Sequence, residues 1–135
     1  MNDQEFLEGF ERCTIPREKW SHEAHIRMAW LYLTCYPLEQ ALEKICSGIQ
    51  RYNKAVTGST DGYHHTVTLA FSRLIAARLA PGEDYAAFRV ANPDLYASRP
   101  PVLARFYSDE HLFSEQAKRE WRNPDLEPLP TPAGF

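Results

Sequence analysis

Ser21-His22-Glu23-Ala24-His25-Ile26-Arg27-Met28-Ala29-Trp30-Leu31-Tyr32-Leu33-Thr34-Cys35-Tyr36 is the stretch on which the reading of the fold turns. Ile26, Ala29, Leu33 and Tyr36 recur at steps of three and four, the spacing that gathers side chains on one face of an α-helix. Ser21 precedes the run as an N-cap, its hydroxyl able to accept from an unpaired amide of the first turn. Pro37 follows it and ends it. The apolar part, Met28 to Tyr36, is broken by Thr34 and falls well short of the ~20 residues that cross a bilayer.

Outward from this helix, Pro37 suits the first turn of a next one, along which Leu38, Ala41, Leu42, Ile45, Cys46, Ile49 and Tyr52 repeat with the same period. Upstream, Phe6, Leu7 and Phe10 give a short helix from Asp3 to about Cys13 before Pro16. Thr57 to Gly62 reads as a loop, and a fourth helix runs from Tyr63 through Val67, Phe71, Leu74, Ile75 and Arg78 to Pro81-Gly82. Beyond it, Asp84, Ser108 and Ser114 stand as caps of short helices, the last near Glu115 to Trp121. The expected fold is all-α, a bundle of four main helices with short C-terminal helices. Residues 1–123 form a single helical domain, and residues 124–135 a proline-rich tail, extended and either wrapped on the body or disordered.

The chain has 135 residues, of which 44% are hydrophobic and 13% aromatic, enough for one autonomous core. Fifteen Lys and Arg stand against eighteen Asp and Glu, for a net charge of -3 with no long run of one sign. That balance gives no footprint for nucleic acid or an anionic membrane. The acidic start, Met1-Asn2-Asp3-Gln4-Glu5, has no export signal, so a cytoplasmic location is expected. Cys13, Cys35 and Cys46 are odd in number and widely spaced; the expectation is reduced, buried, structural thiols.

Chemistry concentrates in the histidines. His22 and His25 lie three apart, about 60° from each other around a helix axis, so both are expected to face inward with Ile26, Ala29 and Tyr32. His64 is expected to face inward above Val67, Thr68 and Phe71, while His65 points aside. In an up-down bundle the second and fourth helices run parallel, which would bring the two clusters to one end. Three neutral imidazoles are the ligand set of an open divalent-metal site, zinc first, with iron, nickel, copper or manganese as alternatives. The expected function is therefore a metal-dependent enzyme acting on a small molecule. His22, His25 and His64 are its ligands, and Glu23 and Tyr63 its candidate catalytic side chains.

Blander readings stand beside this one. An isolated H-x-x-H is more often a surface or satisfied core pair than a metal site. Helix N-termini carry partial positive charge, which disfavours a cation and favours an anion, so the same histidines suit a non-catalytic metal- or anion-binding module. A partner-binding protein with incidental histidines is a further alternative. His111 reads as a surface or capping residue, and Trp30, Tyr32, Tyr36 and Phe71 as core.

The sequence resembles a group of small bacterial proteins, mostly uncharacterised, that carry an H-x-x-H-[IL]-R-x-A-W-L-Y-L block, here His22 to Leu33, and a Y-H-[EH]-T-[LIV]-T block, here Tyr63 to Thr68. Arg105-Phe106-Tyr107-Ser108 and Pro124-Asp125-Leu126 extend the likeness over most of the chain. The resemblance implies that His22, His25 and His64 matter, and it implies no reaction. His65 stands where the group has Glu, which weakens a carboxylate role there.

Overall fold

A computed structural model describes residues 1–99 and 101–131. The fold is all-α: every regular element among the described residues is a helix. The chain divides into two compact units, Met1–Tyr63 and a second from His64 onward.

In the first unit, α1 (Asp3–Glu11) opens with a capping box in which Asn2 and Glu5 satisfy each other's amides. α2 (His22–Cys35) begins where Ser21 Oγ accepts from the Ala24 amide at 3.2 Å, the cap its sequence predicts. α3 (Leu38–Thr57) starts after Pro37 and stops at Gly58, whose φ of 80° is the left-handed turn that a glycine enters without strain. The three helices pack on one another around Phe10, which is wholly buried. Its ring stacks on Trp20 at 5.0 Å and Tyr52 at 6.1 Å, and meets the edge of Tyr32 at 6.3 Å. Each such pair adds about 0.5–1.5 kcal/mol beyond the burial of its surface. α3 approaches this cluster closely because position 48 is glycine: a Cβ there would lie 2.6 Å from the Phe10 ring. Tyr52 ties the α1–α2 connection down by donating to the Ile15 carbonyl at 2.7 Å.

In the second unit, α4 (His65–Ala77) packs against α7 (Glu115–Arg119) and the 3-10 turn Val102–Arg105. α5 (Tyr85–Ala91), α6 (Asp109–Leu112) and α7 start at Asp84, Ser108 and Ser114, each accepting from an amide three residues on. Arg78 closes the end of α4 with a two-pronged bond to Asp94 at 2.7 and 2.9 Å. α4 is shorter at both ends than its pattern predicts, running from His65 and not Tyr63, and stopping at Ala77 where Arg78 turns to Asp94. α7 likewise ends at Arg119, short of Trp121.

The tail is wrapped on its unit as far as Glu127. Thr66 Oγ1 donates to the Glu120 carbonyl at 2.8 Å and accepts from the Arg122 amide at 3.2 Å. Tyr107 donates to the Arg122 carbonyl, Ser108 to Asp125, and the Leu126 amide to the Phe106 carbonyl at 3.0 Å. The Arg105-Phe106-Tyr107-Ser108 and Pro124-Asp125-Leu126 stretches thus bind each other. The last of the tail, residues 132–135, lies outside the described residues. Four expectations about burial need correction: Cys35 is exposed, Cys13 and Cys46 are half-buried, Tyr36 is exposed and not core, and Phe71 is half-buried, so the inner stripe of α4 is carried by Ala70, Leu74 and Ile75. No described helix is long and apolar enough to cross a membrane.

Candidate histidine site

The 3-10 turn Arg17–Lys19 delivers Trp20 over the start of α2, where its ring lies 4.1 Å from that of His25. Trp20 also packs on Tyr52 at 4.8 Å, so the indole is held between Phe10, Tyr52 and the imidazole. His25 Nδ1 is 2.7 Å from the Ser21 carbonyl oxygen. A carbonyl only accepts, so Nδ1 carries the proton and Nε2 keeps its lone pair. Nε2 has no hydrogen-bond partner among the described residues. Burial lowers the His25 pKa below its ordinary 6.5; the bond to Ser21 opposes this, and His22 nearby adds to it. The ring is therefore neutral at pH 7, with its basic nitrogen unspent.

His22 is exposed, which corrects the expectation that both members of the pair face inward. It is the first residue of α2, ahead of the buried Ala24 and Ile26. Glu23 is half-buried in the same turn. Tyr63, at the end of the loop and also half-buried, hydrogen-bonds the Cys46 sulfur on α3 while burial raises that thiol's pKa.

His64 belongs to the second unit and is not a helical residue. Its backbone is extended, with φ -125° and ψ 111°, and its ring caps α4: Nδ1 accepts from the Val67 amide at 3.1 Å. Nε2 donates to the Leu112 carbonyl at 2.8 Å. Both ring nitrogens are in use. His65, half-buried, is the first residue of α4, and burial lowers its pKa, helped by the neighbouring His64. His111 stacks on Tyr107 at 5.9 Å and donates from Nε2 to the Asn123 carbonyl at 2.7 Å, directly before the tail.

Within each unit, no three His, Cys, Asp or Glu side chains among the described residues are grouped closely enough to hold a metal ion. The first unit presents one histidine with a fixed tautomer and a spare lone pair, fit to ligate an ion or accept a proton. Trp20, which sets the position of His25, was not singled out by spacing; its place directly before the Ser21 cap is the signal that could have found it. No protein-family model, curated protein or solved structure matches the chain.

Proposed function

We propose that the chain is a metal-dependent enzyme acting on a small molecule, with His25 anchoring a divalent transition ion. His25 Nε2 carries this reading, because ligating histidines are held in one tautomer by a hydrogen bond from the other ring nitrogen to a carbonyl or carboxylate. A lowered pKa assists it, since the ion competes with a proton for the same lone pair. His22 supplies a second imidazole from the same turn. His64 enters on the sequence pattern alone, and its ligation through either nitrogen has a definite cost: the ring must release the Val67 amide or shift its proton, losing a cap that contributes about 1 kcal/mol. In this reading an ion held there would supply an activated water, and Glu23 or Tyr63 would move the proton.

The doubly bonded His64 favours a second reading, in which it is a structural strut and the His22–His25 pair serves a non-catalytic metal- or anion-binding module.

Calorimetric titration of tag-free protein with zinc separates these. The enzyme reading expects about one ion per chain, held by three imidazoles. Binding should be abolished in His25→Ala, strongly weakened in His22→Ala and His64→Ala, and unchanged in His65→Ala and His111→Ala. Normal binding by His64→Ala would transfer the conclusion to the binding module, and no uptake by the wild type would remove the metal from both.

A further inference from the structure

A cleft of about 430 Å³ opens in the first unit beside Tyr32 and along α3, away from the histidine proposal and independent of it. The volume is within the range of about 300–1,000 Å³ of small-molecule pockets. Its α3 side is a stripe at steps of three and four, Gln40, Glu43, Lys44 and Arg51 among its members, adjacent to the buried stripe of Ala41, Ile45, Ile49 and Tyr52. At its floor Tyr32, only 1% exposed, donates its hydroxyl proton to Glu11 Oε2 at 3.1 Å.

The charges in this cleft are present in both signs and yet unpaired. Glu43 and Arg51 make no ion pair or hydrogen bond through their charged groups among the described residues, and the only partner of the Lys44 ammonium is the Tyr36 ring, 4.7 Å away. The helix itself explains this. At three or four residues from Glu43, Lys44 and Arg51 stand only neutral or like-charged side chains, so none finds the opposite charge at the spacing where helix pairs form. Glu11, already bonded to Tyr32, and Arg51, whose positive charge acts on the same phenol, flank the Tyr32 hydroxyl without bonding each other.

We propose that this cleft binds a small zwitterion of the amino-acid type, its carboxylate on Arg51 and Lys44 and its ammonium on Glu11 and Glu43. A guanidinium recognises a carboxylate through paired donors, and a carboxylate with a spare oxygen receives an ammonium. A purely anionic or cationic ligand would meet two like charges, whereas a dipolar one satisfies both sets. Tyr32 positions Glu11 by fixing one carboxylate oxygen and leaving the other for the ligand.

The test is binding of the twenty free amino acids to the intact chain, followed by calorimetry and by amide shifts in a labelled sample, with acetate and methylammonium as single-charge controls. The expected result is saturable binding of at least one amino acid and none of either control, with shifts around Glu43 to Arg51. Arg51→Gln and Glu11→Gln, both exposed positions, should each weaken binding tenfold or more. Tyr32→Phe should weaken it less; should that variant fold poorly, the two exposed variants decide alone. No saturable binding by any amino acid, equal binding of a control, or wild-type affinity in both Arg51→Gln and Glu11→Gln would overturn the proposal while leaving the metal reading untouched.

Discussion

His64 Nε2 donates to the carbonyl of Leu112, tying the start of α4 to the end of α6 across 48 positions of sequence. Because the same ring caps Val67, one side chain serves two backbone groups that would otherwise be half-buried and unpaired. His64→Ala should therefore destabilise by about 2 kcal/mol, one for the cap and one for the Leu112 bond. His64→Asn, which restores a cap and cannot reach as far, should recover about half of that loss. Urea denaturation decides it: equal stability of wild type and His64→Ala would show that neither bond contributes.

This residue also shows where sequence reasoning stopped. The helices, and the caps at Ser21, Asp84, Ser108 and Ser114, were legible because hydroxyl and carboxylate caps have strong preferences and the apolar period is local. His64 was not legible as a cap, since histidine is no preferred N-cap residue, and an angular position on a helical wheel has no meaning for a residue with extended backbone. Its partner Leu112 lies far along the chain, where periodicity carries no information. The same limit hid the joining of residues 105–108 to residues 124–126, and the cleft beside Tyr32, which exists only once α1, α2 and α3 have packed.

Gly48→Ala should destabilise the chain, although alanine is the better helix former by about 1 kcal/mol. The added methyl would sit 2.6 and 2.8 Å from two carbons of the Phe10 ring. That ring has no room to retreat, being fully buried between Trp20, Tyr32 and Tyr52. Overpacking of this kind costs about 1–3 kcal/mol. A thermal melt in which Gly48→Ala equals or exceeds the wild type would show that the cluster yields.

Leu74→Ala should cost about 2–5 kcal/mol, since Leu74 has no exposed surface and its truncation leaves a cavity. Phe71→Ala should cost less despite the larger side chain, because Phe71 is half-buried and its site opens to solvent. Chemical denaturation of the two variants checks the order, and a greater loss in Phe71→Ala would reverse the assignment of the inner face of α4.

Asp125 holds the tail through two bonds to Ser108, one from its amide at 2.8 Å and one from its hydroxyl. Those bonds, the hydroxyl first, lower the Asp125 pKa, so the contribution is present above the ordinary carboxylate range and is lost only as pH falls through the lowered value. Asp125→Ala should release residues 124–131 to protease at neutral pH, while the wild type stays resistant. Equal cleavage of the two would show that the Leu126–Phe106 backbone bond and the Arg105–Glu127 pair hold the segment without Asp125.

His25 makes a prediction about pH whose sign follows from its proton. Burial, the largest influence, sets its pKa in the folded chain below the ordinary value, so between the two values the unfolded chain binds more protons than the folded one. Stability therefore rises with pH through that window, is complete above about 6.5, and is lost as pH falls toward the folded value. His25→Phe keeps a ring against Trp20 and removes the titration. The quantity to follow is the stability difference between wild type and His25→Phe at about pH 7.5 and about pH 5, a span that brackets the imidazole. The wild type should lose ground to the variant on acidification. His65, also lowered by burial, titrates in both proteins and cancels from the difference. Zinc, if bound at Nε2, should steepen the wild-type loss, because protonation then expels the ion as well, and should leave His25→Phe unchanged. Parallel curves for the two proteins would mean that His25 is as free to protonate folded as unfolded, and the fixed, neutral imidazole at the centre of the proposed function would be lost with it.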